Sequence, residues 1–124
     1  MDISYREARV EDAAGIAIVD VVSQQIGYRG FLPAAQLDGM SIGEQQQRWQ
    51  GALETDVTDR TVVALDNKTD KVIGFVRAGK TGDSGVGGIT HLFVLPEYWA
   101  RGVGQALMSK ATGIMRDFGL VSAR

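Results

Sequence analysis

The densest chemical signal in the 124-residue chain is Arg101-Gly102-Val103-Gly104, at the start of a helix-like run. The first turn of a helix leaves backbone N–H groups without intrahelical partners, and the helix dipole adds positive potential there. Together these make an anion site. Glycines remove the Cβ atoms that would keep a diphosphate away from the backbone, and Arg101 adds charge beside it. A lone Gly-x-Gly has a second reading, a tight turn with no ligand, and the motif by itself leaves both open. A dinucleotide fingerprint is absent: the third glycine is missing, and so is an acidic residue about 20 positions on along a second strand. A Walker loop is absent too, because no Gly-Lys-Ser/Thr follows. There is no cysteine and one histidine, His91, which argues against disulfides, thiolate catalysis and a histidine- or thiolate-based metal site.

The elements that must position this stretch follow from patterning. Ile3 to Ala8 alternates as a strand. Glu11-Asp12 opens a helix with Ala14, Ile18, Val21 and Val22 as apolar residues, and Gly27 ends it. Tyr28 to Pro33 is a connecting loop. Ser41 and Glu44 fit a capping box for a helix over about 42–53, with Trp49 and Leu53 on one face and Trp49 in the core. Arg60 to Leu65 and Lys71 to Ala78 are strands joined by the turn Asn67-Lys68-Thr69-Asp70. Four glycines between Gly82 and Gly88 predict a loop over 79–88. Ile89 to Leu95 is the next strand, stopped by Pro96, which cannot donate to a ladder. Gly102 to Phe118 is a helix with a core stripe of Val103, Leu107, Ile114 and Phe118, ended by Gly119. Leu120 to Ala123 starts one more strand. The order predicts a single α/β (α+β) domain over 1–124 with mostly antiparallel strand pairs.

Composition sets the outer bounds. Hydrophobic residues are 44% and charged residues 23%, a globular composition. A net charge of −2 supplies no basic stripe for nucleic acid. No apolar run reaches the roughly 18 residues of a membrane span, and the N-terminus lacks a signal-peptide pattern. The expectation is a cytoplasmic protein with no nucleic-acid or membrane partner.

The stretch Leu92-Phe93-Val94-Leu95-Pro96-Glu97-Tyr98-Trp99-Ala100-Arg101-Gly102-Val103-Gly104-Gln105-Ala106-Leu107 resembles the acetyl-CoA motif of the GNAT N-acetyltransferase superfamily. That motif is a strand ending Val-x-Pro, then Gln/Arg-x-x-Gly-x-Gly/Ala, then a helix. Trp99 stands where Gln or Arg is usual, with Arg101 supplying the local charge. The resemblance runs from Ile3 onward. It implies a mixed, mostly antiparallel sheet with flanking helices, and acetyl-CoA as co-substrate between a fourth and fifth strand that splay apart. The backbone of Leu92, Phe93 and Val94 would pair with the pantetheine arm. The N–H groups of Ala100, Arg101, Gly102, Val103, Gly104 and Gln105 would hold the diphosphate. A primary amine would attack the thioester directly, helped by orientation, a base and a backbone N–H near Val94.

Superfamily members often carry a glutamate base on the fourth strand, where residues 85 to 90 here are Gly-Val-Gly-Gly-Ile-Thr. His91 is the nearby group whose ordinary pKa suits a base. It alternates with Ile89 and Phe93 on one face, so it is either that base or a histidine packed in the sheet. Tyr28 and Arg29 border the acceptor amine in one reading; in the other, Tyr28 packs under its loop. The superfamily continues past the fifth strand with a further helix and strands, including a tyrosine that protonates the leaving thiolate. This chain reads as the N-terminal two-thirds of such an enzyme. The alternatives to a working transferase are a non-catalytic CoA-binding fragment and an oligomer completed by another chain. An apolar edge on the fourth strand predicts a homodimer.

Overall fold

The computed structural model describes residues 2–28, 30, 33–55, 59–80, 86–117 and 121–122. The elements are β1 (Ile3–Glu7), α1 (Ala13–Gly27), α2 (Ala34–Asp38), α3 (Ile42–Thr55), β2 (Asp59–Asp66), β3 (Lys71–Lys80), β4 (Val86–Val94), α4 (Val103–Asp117) and β5 (Val121–Ser122). They form one five-stranded sheet in the order β1-β2-β3-β4-β5. The first three pairs are antiparallel and β4–β5 is parallel. Among the described residues, β5 meets β4 only at Val86–Val121 and Gly87–Ser122, so from Gly88 to Val94 no strand lies on the outer side of β4.

Alternation along the strands sends apolar side chains to both faces. Val62, Ala64, Val76 and Ala78 meet Val103, Leu107, Ala111, Ile114 and Met115 of α4. Val63 and Phe75 meet Ala13, Ile16 and Ala17 of α1 and Trp49 of α3 on the other face. Helix α1 can lie this close because Gly15 has no Cβ; one placed there would sit 2.8 Å from Val72 Cγ2. The N-cap of α3 is Ser41, whose Oγ accepts from Glu44 N–H at 3.2 Å. The mixed, mostly antiparallel sheet is the expected fold class.

Several local expectations differ. Two β-bulges break the period of two. One inserts Ile73 opposite Ala64/Leu65, and the other inserts Thr90 opposite Arg77/Ala78. The second one separates Ile89, which packs toward α4, from His91 and Phe93, which face α1 and α3. The expected shared face of Ile89 and His91 is therefore split by one inserted residue. The loop expected over 79–88 is shorter: Gly79 and Lys80 extend β3 and pair with Gly88 and Gly87 of β4, since a backbone ladder needs no side chains. Helix α1 starts after a 3-10 turn, Val10–Asp12, held by two Arg6–Asp12 bonds of 2.7 and 3.0 Å and an Arg9 N–H to Asp12 bond of 2.7 Å. Its buried residues are Ala13, Ile16, Ala17, Val19, Asp20 and the expected Val21, while Ile18 is 44% exposed. The short helix α2 was not expected. Arg29, Phe31, Leu32, residues 82–85, Phe118, Gly119, Leu120 and Ala123 lie outside the described residues.

Candidate acyl-transfer site

Strand β4 ends where Leu95 N–H donates to Ile73 O at 2.8 Å. In an antiparallel pair, residues alternate between facing the partner and facing away. With Phe93 opposite Phe75 and Leu95 bonded to Ile73, the peptide groups of Phe93 face β3, and those of Leu92 and Val94 face the outer edge. Pro96–Tyr98 then turns as a 3-10 helix, with Tyr98 N–H to Leu95 O at 2.9 Å and Trp99 N–H to Pro96 O at 3.1 Å. Two side chains fasten this turn. Tyr98 Oη donates to Asp66 Oδ2 at 2.6 Å, and Trp99 Nε1 donates to Val94 O at 2.7 Å. The Arg101 guanidinium lies 5.8 Å over the Tyr98 ring.

Ala100 and Gly102 take positive φ, +61° and +80°. Gly102 O accepts the first helical bond of α4, from Ala106 at 3.0 Å. The N–H groups of Val103, Gly104 and Gln105 precede that bond and belong to the donors a helix start leaves over. Gly102 is explained by its φ. Gly104 lies within α4, shows no positive φ, and a Cβ there would meet nothing within 4 Å. Neither conformation nor internal packing requires a glycine at that position. Val103 is buried as the first core residue of the helix.

His91 lies around the strand from this edge, on the α1/α3 face. Its ring stacks edge-on with Trp49 at 5.1 Å and Phe93 at 6.2 Å, and Nδ1 is 3.0 Å from Thr90 Oγ1. It lines a cavity of about 230 Å³ with Asp20, Gln45, Arg48, Trp49, Ala52 and Arg77. Burial holds the His91 pKa below the ordinary histidine value; Asp20 and Asp59 pull it up, and Arg77 adds to the depression. Asp20 is 3% exposed and accepts from Gln24 Nε2 at 2.6 Å and Trp49 Nε1 at 3.0 Å. Arg77 pairs with Asp59 at 3.5 Å and lies 5.5 Å over the Trp49 ring. Trp49 is thus both core and cavity wall. Tyr28 follows the end of α1 with 48% of its surface exposed, and it does not line this cavity. Arg29 lies outside the described residues.

Sequence reasoning missed Asp20 and Arg77. The signal for Asp20 was available: a single charge inside Ile18-Val19-Asp20-Val21-Val22 is a buried polar group that must find donors. Among the described residues no cluster of three or more His, Asp or Glu could hold a metal, and no helix is long and apolar enough to cross a membrane.

Strand β4, whose outer edge from Gly88 to Val94 meets no strand among the described residues, runs into a bare helix start, as the motif it resembles would require. The sequence profile described as the acetyltransferase (GNAT) family matches residues 28–123, and the chain belongs to that family. It is 28% identical over 123 residues to YuaI of Bacillus subtilis (strain 168), an uncharacterized N-acetyltransferase, covering 97% of this chain and 68% of that one. Its fold is similar to the PaiA N-acetyltransferase of Thermoplasma acidophilum, solved in complex with coenzyme A (TM-score 0.78, 20% identity, 97% of this chain and 76% of that one). It is also similar to a GCN5-related N-acetyltransferase from Ralstonia eutropha JMP134 (TM-score 0.71, 17% identity, 98% and 82%).

Proposed function

We propose that the chain binds acetyl-CoA along the outer edge of β4 and the first turn of α4, and transfers the acetyl group to a primary amine. The observation that carries this is Gly104. It is a helical glycine with open space where its side chain would be, beside three leftover N–H donors. A diphosphate fits that donor set, because bare backbone lets the phosphate oxygens approach and the dipole favours the charge. Val103, Gly104 and Gln105 would donate to it, with Arg101 adjacent. Leu92 and Val94 would pair with the amides of the pantetheine arm, as an added strand does.

When bound, acetyl-CoA supplies an acetyl carbon already activated as a thioester. The chain's own contribution is position and proton handling. An outward N–H of Leu92 or Val94 polarises the carbonyl oxygen. The cavity beside His91 holds the amine, with the Asp20 carboxylate and the Trp49 ring in its wall. His91, kept neutral by burial, would accept the proton that the amine nitrogen loses as its bond to the acetyl carbon forms and the carbon–sulfur bond breaks, with CoA leaving as its thiolate.

The test is thiol release from acetyl-CoA with a panel of amines. His91→Gln lowers kcat by about 100-fold and leaves CoA affinity unchanged. The depressed pKa puts the acid limb of the parent pH–rate profile below the ordinary histidine value of about 6.5, and His91→Gln removes that limb. An unchanged profile in the variant returns His91 to a packing role. The open β4 edge also suits pairing with a second copy of the chain. Sedimentation equilibrium with and without CoA tests that reading: a dimer through this edge dissociates as CoA binds.

A further inference from the structure

We propose that the Trp99 indole is an internal occupant of the β4 edge, which an amide-bearing coenzyme arm must displace to bind. This rests on the coenzyme reading of the site. Val94 O is one of the outward-facing groups of β4, and the donor it has is Trp99 Nε1, at 2.7 Å. On a sheet edge such an acceptor is left unpaired, ready for the N–H of an added strand. The indole therefore makes the hydrogen bond that an added strand would make.

The two tryptophans of the chain show how differently such a ring can be held. Trp49 is 6% exposed, donates to the buried Asp20 and packs edge-on against Phe75 and His91. Trp99 is 57% exposed. An exposed hydrogen bond contributes little net stability, because water replaces it when it opens. What keeps Trp99 in place is tethering: it sits five residues along the chain from its acceptor, so the bond re-forms as an intramolecular event.

A pantetheine amide N–H can take over the bond to Val94 O, so the exchange conserves hydrogen bonds for ligands that carry an amide and leaves Val94 O without its donor for ligands that do not. The indole thus lowers apparent affinity for all occupants of the edge and selects for amide-bearing ones. A ligand confined to the glycine turn does not meet it.

The experiment measures binding of CoA and of adenosine 3′,5′-bisphosphate, which lacks the pantetheine arm, to the parent and to Trp99→Phe by isothermal titration. Phenylalanine keeps a ring and deletes the donor. The expected result is CoA binding tighter by about fivefold in Trp99→Phe, the order expected for removing one competing hydrogen bond, with bisphosphate affinity unchanged. In nitrogen–proton spectra of the parent, the Trp99 indole signal, assigned by its loss in Trp99→Phe, shifts with CoA and stays put with the bisphosphate. Weaker or equal CoA binding by Trp99→Phe overturns the displacement idea and leaves the coenzyme site standing. No binding of either ligand to either protein overturns the coenzyme reading and this inference together.

Discussion

Two turns of this molecule sit side by side and are built on opposite plans. The β2–β3 turn is closed chiefly by Asp66, with Asn67 tied to Asp2 and Ser4. Asp66 O accepts from Thr69 N–H at 3.1 Å and Asp70 N–H at 2.8 Å, and Asp66 Oδ1 accepts from Lys68 N–H at 2.9 Å. The β4–α4 turn is held from outside by Tyr98 on Asp66 and Trp99 on Val94, and it runs into helix donors with no helical partner. Each turn carries a non-glycine residue in the left-handed region, Asp70 at +57° and Ala100 at +61°. Aspartate tolerates that conformation through local hydrogen bonding, whereas alanine has no such compensation. The first turn is organised for stability. The second keeps donors uncommitted and backbone strained, which is how sites hold a geometry ready for a ligand.

The contrast breaks hardest at Gly104. Gly104→Val fills the open space at the helix start and lowers CoA affinity by about 100-fold, the loss of two charge-assisted bonds. Its urea midpoint stays close to the parent's, because a Cβ at that position meets nothing within 4 Å. A midpoint that falls in step with affinity would make Gly104 a structural glycine after all.

Tyr98→Phe separates the two turns. CoA affinity falls a few-fold by titration calorimetry, while the β2–β3 turn keeps its own backbone bonds. This variant also has a pH signature. The Tyr98 hydroxyl, with the Lys68 N–H, holds the Asp66 carboxyl below the usual carboxylate range. A lowered folded-state pKa gives stability that is complete above the unfolded value, near pH 4, and lost as pH falls through the folded value. Tyr98→Phe raises the folded value toward the unfolded one, so chemical denaturation across the acid range shows a shallower loss than in the parent. An identical acid profile would mean that the Tyr98–Asp66 bond is not made in solution.

The smallest effects sharpen the comparison at the strained residues. Ala100→Gly relieves a left-handed alanine and stabilises by about 1 kcal/mol. Asp70→Gly, where the native residue already tolerates the conformation, gains about 0.3 kcal/mol. Equal gains in urea unfolding would erase the distinction between the turns.

Much of this was legible in the sequence because it rests on local pattern. The stripe Val103, Leu107 and Ile114 gives α4 its buried face, Pro96 marks the strand end, and Asn67 to Asp70 marks the hairpin. The rest depends on single-residue insertions and on distant pairs. The bulge at Thr90 turns Ile89 away from His91, and a period-of-two reading has no means of registering one extra residue. Asp66 and Tyr98 lie 32 positions apart, so their bond exists only once the sheet has brought the strand ends together. Gly102 and Gly104 look equivalent in the sequence. The fold separates a glycine required by its φ from one required by neither its φ nor internal packing.

Asp66 closes the hairpin turn and also receives Tyr98, and this has a consequence for the order of assembly. Chains emerge from the ribosome N-terminus first, at roughly 5–20 residues per second. A hairpin closes within about 10 μs. The β2–β3 turn, whose last residue is Asp70, therefore emerges and can close before Tyr98 emerges. The glycine turn is born next to a carboxylate already fixed by its own backbone, and it docks on a finished anchor.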